Sequence, residues 1–229
     1  LDGGGEPEYG VISPANLGHA IQYEARRPTA TDPFWWYIGP ENWDRSMAFQ
    51  EARDEAAALQ GAEALGAPYV VTSEEALPSS VVGRLHFRDG SGSASRPGLG
   101  HFRLLAESAG GGLGLGSIFQ QSRPDTVAYK LFQIVPGARL EVQTEPGTRV
   151  AARIDLQTNQ GREFSYRTFA EADESGRAVL SLPYATERSR DPESRVGALS
   201  VYGIRFADQS RSLRVREADV MEGRRLRLE

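Results

Sequence analysis

The stretch Val127–Tyr184, VAYKLFQIVPGARLEVQTEPGTRVAARIDLQTNQGREFSYRTFAEADESGRAVLSLPY, alternates apolar and polar residues and is cut by glycine turns at regular intervals. That pattern belongs to antiparallel strands with one buried face. It predicts strands near Ala128–Ile134, Arg139–Gln143, Arg149–Leu156, Glu163–Ala170 and Ala178–Pro183. Two later segments, Ala198–Phe206 and Leu213–Val220, continue it. Residues 127–229 are therefore expected to form an all-β module, an antiparallel sandwich or barrel-like unit.

Upstream the period changes from two to that of a helix. In Asn42–Leu65, NWDRSMAFQEARDEAAALQGAEAL, the residues Met47, Ala48, Ala52, Ala56, Leu59, Ala62 and Leu65 recur at helical spacing. They predict one amphipathic helix, or two joined near Gly61, starting about Trp43 and stopped by Gly66 and Pro68. PYVVTS (68–73) has the composition of a short buried strand, followed by a brief helix from Ser73 that Pro78 interrupts or restarts. VGRLHFRDG (82–90) and GHFRLLAES (100–108) both alternate, which predicts two strands joined by a loop, and AGGGLGLGS (109–117) predicts a mobile one. The fold class expected is α+β, with a mainly helical, mixed α/β core over 1–126 and the all-β module over 127–229.

The chain has 229 residues, 39% of them hydrophobic and 25% charged, so a sizeable core is available. A net charge of −5 gives a polyanion no general basic face, and nucleic acid is not expected as a partner. Cysteine is absent, which removes disulfides, thiolate catalysis and Cys-ligated zinc. Lys130 is the only lysine, placed in mid-strand and expected to be solvated. No apolar run approaches the ~18–20 residues that span a bilayer. The acidic, glycine-rich start LDGGGEPEYG has the look of a linker and leaves room for a membrane portion upstream.

Chemistry-bearing motifs are sparse. His19, His86 and His101 stand at no metal-ligand spacing, so no metal site is expected. The G-x-G-x-G within Gly110–Gly116 lacks the Lys-Ser/Thr of a phosphate loop. Asp32, Glu41 and Asp44 flank Trp35, Trp36, Tyr37 and Trp43, a combination suited to carbohydrate and equally to an apolar core or interface.

The order of several words along the chain resembles the C-terminal soluble domain of prokaryotic oligosaccharyltransferases. ALGAPYVVTS (64–73), GHFRLLAES (100–108), KLFQIVPGA (130–138), TNQGREFSY (158–166) and SGRAVLSLPYAT (175–186) are similar to segments that follow one another in that family. In YGVISPANLGHAIQYEARRPTATDPF (9–34), Ile12-Ser13 matches the strand end, His19–Arg27 the helix and Pro28–Phe34 the exit. The resemblance implies an extracytoplasmic domain of a membrane enzyme that transfers a lipid-linked glycan to protein asparagine. Its partners would be an acceptor polypeptide and, through the membrane part, a lipid-linked oligosaccharide. A divalent metal, Mn or Mg, would be held by the missing transmembrane part, with no cofactor here. The piece would be monomeric, inactive alone and concerned with acceptor recognition.

The acceptor pocket of that family uses a Trp-Trp-Asp-Tyr-Gly motif to hold the hydroxyl at position +2 of Asn-x-Ser/Thr. Here the matching positions are Pro14, Ala15, Asn16, Leu17 and Gly18, so only the glycine is kept. Trp35-Trp36-Tyr37-Ile38-Gly39 matches by letter but comes after the basic-proline exit. The second pocket element would fall in 72–82, where Glu74, Leu77 and Val81 are the candidates, although neither Asp-x-x-Lys nor Met-x-x-Ile is present. Loss of the tryptophans and of the charge predicts weak or altered dependence on Ser/Thr at +2. The alternative reading is a non-catalytic β-sandwich that binds carbohydrate or protein. A dozen apolar spans upstream in the full gene would decide for the transferase.

Overall fold

Alternation in the C-terminal half becomes pleated strands whose inward positions are mostly apolar. The computed structural model describes residues 9–34, 39–109, 127–187 and 196–228. In order, the strands of this half are β5 (Ala138–Gln143), β6 (Arg149–Gln157), β7 (Glu163–Glu171), β8 (Arg177–Leu182), β9 (Gly197–Ala198), β10 (Tyr202–Phe206), β11 (Gln209–Leu213) and β12 (Arg225–Arg227). In β6 the residues Val150, Ala152, Ile154 and Leu156 point into the core while their neighbours do not. One sheet has the order β11-β10-β6-β7, with β9 also on β6, and another the order β12-β5-β8. These sheets do not close into a barrel. Between β11 and β12 lies a short helix, α5 (Glu217–Met221), where Leu213–Val220 was expected to be a strand. Five residues are too few for a helical period to emerge, and just before them Leu213 and Val215 alternate with Arg214 and Arg216.

The N-terminal half combines helices with a four-stranded sheet of order β1-β2-β4-β3: β1 (Val11–Ile12), β2 (Tyr69–Ser73), β3 (Phe102–Glu107) and β4 (Tyr129–Ile134). The α+β class thus holds. Strand β4 falls on the C-terminal side of the boundary expected at 126/127, yet it is hydrogen-bonded between β2 and β3 of this sheet. The expected helical region is two helices, α2 (Pro40–Glu51) and α3 (Glu55–Ala64). The break comes at Ala52-Arg53-Asp54 rather than at Gly61, because Asp54 Oδ1 accepts from the Ala57 N–H at 2.9 Å and caps a new helix. Gly61 has another use: a Cβ there would lie 3.5 Å from Phe49, so it marks close approach of the two helices.

The segment VGRLHFRDG is a helix, α4 (Val81–Arg88), and not the strand its alternation suggested. Ser80 caps it, its Oγ accepting from Gly83 N–H at 3.1 Å, and Val81, Val82, Leu85 and His86 form one buried face. His86 Nδ1 lies 3.0 Å from Thr72 Oγ1 of β2. Burial, then the neighbouring Lys130, pushes the His86 imidazole down to about 4, against Asp89, which acts the other way. A folded value below the unfolded one means that the unfolded chain binds more protons between the two. Stability should therefore be full above pH ~6.5 and fall as pH drops toward 4, by on the order of 3 kcal/mol if this group alone is counted. Urea unfolding between pH 7.5 and 5 checks this, and His86→Gln should flatten the upper part of the profile.

Lys130 is buried, contrary to the solvated position expected. Its Nζ donates at 2.7 Å both to Asp89 Oδ1 and to the His86 carbonyl. Arg162 then forks across Asp89 and Glu107, at 2.8 Å and 2.6 Å for its Nη2. Thr158 Oγ1 donates to Glu107 Oε1 at 2.7 Å, and Glu107 N–H donates to Asn159 Oδ1 at 2.8 Å. The TNQGR hairpin, with Gly161 at φ +79°, is thereby plugged into the end of β3. Elsewhere Tyr184 of the LPYAT word accepts at its hydroxyl from Leu104 N–H of β3 at 2.8 Å. Both words of the tail are clasps between its strands and the N-terminal sheet.

Candidate functional site

The chain leaves β1 at Ile12, makes a detour and comes back beside its own start. Val11 N–H donates to the Pro28 carbonyl and Ala30 N–H to the Val11 carbonyl, which closes the excursion. Within it Ala15–Leu17 is a single 310 turn, followed by α1 (Gly18–Ala20) and a π-type turn over Ile21–Ala25. Arg26 ends the run in the left-handed region at φ 52°. Gly18 is where the turn meets the returning strand: a Cβ there would lie 2.5 Å from Thr31 O and 2.6 Å from Asp32 Cα. Only glycine fits. Asp32, buried, spends its carboxylate on the Phe34 N–H at 2.8 Å.

Opposite this turn, Ser80 Oγ donates to the Leu77 carbonyl at 2.9 Å and folds the segment 74–79 back over the start of α4. Between turn and segment runs a cleft of about 240 Å³. Pro14 and Ala15 line it from one side, and Glu75, Ala76, Leu77 and Val82 from the other. Asn16 is exposed at the tip of its turn and is not among the lining residues; neither are Leu17, Gly18 and Glu74. Val81 is fully buried in the core, and its N–H donates to the Ala52 carbonyl at 2.6 Å. Of the eight residues singled out from sequence, the cleft therefore brings together Pro14, Ala15 and Leu77.

The rest of the lining was not singled out for this pocket. Helix α2 presents Trp43, Met47 and Gln50, and the end of β1 presents Ser13. Ser13 is 1% exposed, and among the described residues neither its Oγ nor Gln50 Nε2 has a hydrogen-bond partner. Buried polar atoms are rarely left unpaired, since each forfeits its hydration. The lining also carries the carboxylates of Glu51 and Glu75, and the two unpaired atoms leave hydrogen bonds available to a polar group from outside. Trp43 was visible in sequence within the aromatic cluster; Ser13 and Gln50 carry no local signal. Residues Trp35–Ile38 and the glycine run 110–116 lie outside the described residues. Among the described residues no group of three or more His, Asp or Glu could hold a metal ion. Among the described residues no helix is long and apolar enough to cross a membrane.

Residues 137–226 match the family model of the archaeal glycosylation protein B long peripheral domain. Nothing among curated protein sequences matches. Among solved structures the chain is similar to the oligosaccharyltransferase of Archaeoglobus fulgidus tethered to an acceptor peptide containing the NVT sequon. That match has a TM-score of 0.78 at 19% identity, over 97% of this chain and 38% of the other. The same enzyme in complex with an inhibitory peptide and a dolichol-phosphate matches at TM-score 0.77 and 18% identity, again over 97% and 38%. Its complex with Zn and sulfate matches at 0.76 and 18%, over 97% and 41%. The chain thus spans about two fifths of the enzymes it matches. The resemblance noted in the sequence stands: the chain shares its fold with part of an oligosaccharyltransferase.

Proposed function

We propose that the chain is the extracytoplasmic domain of a membrane oligosaccharyltransferase that transfers a lipid-linked glycan to protein asparagine, and that its cleft receives the acceptor polypeptide. The observation that carries this reading is the pair of unpartnered polar atoms, Ser13 Oγ and Gln50 Nε2, in a cleft walled by Pro14, Ala15 and Leu77. Both atoms are covered in the free chain, and a serine or threonine hydroxyl brought within reach of them would accept from the Gln50 amide and donate to Ser13 Oγ. Trp43 and Met47 offer the apolar surface that a threonine methyl needs.

Bond-making belongs, by this reading, to the membrane-embedded remainder of the protein. That part would hold the divalent metal, Mn or Mg, the catalytic carboxylates and the lipid-linked donor. The 229-residue chain by itself would be inactive, monomeric and confined to holding the acceptor.

Recognition through these two neutral groups has a measurable size. A neutral hydrogen bond contributes about 1 kcal/mol, so the full-length enzyme should prefer threonine over alanine at +2 by roughly fivefold. Ser13→Ala with Gln50→Leu should bring that preference close to unity. Ser13→Ala alone should leave folding stability unchanged or slightly higher, because no hydrogen bond is lost. Glycosylation rates with matched peptides are the measurement, and a preference untouched by the double variant would move the acceptor site elsewhere.

A further inference from the structure

A larger groove, of about 550 Å³, lies on the outer face of β6, β7 and β10 and shares no residue with the acceptor cleft. Its lining includes four arginines, Arg149, Arg153, Arg167 and Arg205, and no carboxylate. On a chain with a net charge of −5, this is a local reversal of sign.

The sheet register makes the cluster costly. Arg153 stands directly across from Arg167 in the β6–β7 pair, and like charges at that spacing repel. On its other side Arg153 faces Gly203, where a Cβ would meet nothing within 4 Å, and Arg205 faces Ala151. Small residues thus clear the space that the guanidinium groups surround. Arg149 is held in place, its guanidinium 3.3 Å from the Phe169 ring centre and its Nη2 donating to the Ala94 carbonyl at 2.8 Å. Arg153 is tied to Asp155 Oδ1 at 2.8 Å. The hydrogen bond from Ser165, then Arg153, and at longer range Arg167, holds the Asp155 carboxyl below the usual carboxylate range. Among the described residues, the side chains of Arg167 and Arg205 make no hydrogen bond or ion pair of their own.

We propose that this groove binds a ligand carrying a phosphate or pyrophosphate group. A carboxylate is satisfied by one planar guanidinium fork. Arginines from three different strands, converging on one cleared space, instead suit a tetrahedral oxyanion whose terminal oxygens point in several directions. Soluble phosphate esters and anionic lipid headgroups both present this chemistry. The inference is independent of the acceptor cleft.

The test titrates the chain with inorganic pyrophosphate by calorimetry and, separately, sediments it with phosphatidylcholine vesicles that contain or lack phosphatidic acid. Arg167→Gln with Arg205→Gln should weaken pyrophosphate binding about tenfold or more. Arg225→Gln, on an exposed arginine of β12 outside the groove, should leave it unchanged. Vesicle binding that depends on phosphatidic acid and vanishes in the double variant identifies a headgroup as the source; pyrophosphate binding without vesicle binding identifies a soluble ester. Binding of neither probe, or equal weakening by Arg225→Gln, overturns the proposal. Arg167→Gln should leave the melting temperature unchanged or raised, since it relieves the repulsion with Arg153. A clear drop would make Arg167 a structural residue and would also overturn it.

Discussion

Arg162→Met is expected to destabilise the chain by about 3–5 kcal/mol, the range found when one partner of a buried ion pair is removed. Arg162 is the cation that two buried carboxylates share. Its Nη1 and Nη2 meet both oxygens of Asp89 at 2.9 and 2.8 Å, and its Nε meets Glu107 at 3.0 Å. The Glu107 side chain is 1% exposed, and after the substitution its carboxylate would keep the hydrogen bond from Thr158 Oγ1 and lose its bonded cation. Asp89 would keep Lys130. Methionine fills much of the vacated volume, so the loss is electrostatic before it is steric. Urea unfolding at pH 7 measures the loss, and a value below ~1 kcal/mol would mean that the hairpin is held by packing alone. Since whole domains are stable by only ~5–15 kcal/mol, the expected loss is a large share of the total.

How far the sequence could be followed depended on whether the signal was local. Strands β5 to β8 were legible because each buries one face, so period two is written directly into the residues. Helix α4 was misread for a related reason: Leu85-His86-Phe87-Arg88 alternates, yet His86 is buried against Thr72 and Phe87 is exposed. Polarity and burial part company there because a distant strand supplies the partner. The same holds for Lys130, which a carboxylate forty-one residues away in sequence makes compatible with the core. At the candidate site, the turn at Pro14–Ala15 and the segment after β2 could be found by their resemblance to a known order of words. Ser13 and Gln50 could not, since what distinguishes them is a missing partner, a property of three-dimensional surroundings only. Trp43 lay within the noted aromatic cluster but reached the cleft through the phase of α2, which the misplaced break near Gly61 had left undetermined.

Gly83→Ala is expected to cost about 3 kcal/mol and to disable the cleft, although alanine is the better helix former. In an exposed helix interior the exchange would stabilise by ~1 kcal/mol. At position 83 an added Cβ would overlap the Leu77 carbonyl oxygen, 2.6 Å from its carbon and 2.8 Å from Pro78 Cα. These are backbone atoms, and Ser80 fastens them to the helix start through the bonds from its Oγ to Leu77 O and from Gly83 N–H to that Oγ. The segment can yield only by breaking the cap, which is itself worth ~1 kcal/mol, and overpacking of this kind typically adds 1–3 kcal/mol. Leu77 and Ala76 face Pro14 and Ala15 across the cleft, so a shift of that segment opens the cleft as well. The variant of the full-length enzyme should therefore lose acceptor affinity along with stability, seen as a raised KM for peptide. Ser79→Ala, next to the same cap but exposed and outside the lining, should change neither. A Gly83→Ala protein as stable as the native one, with KM unchanged, would show that the segment 74–79 moves freely and that the cleft is not set by its contact with α4.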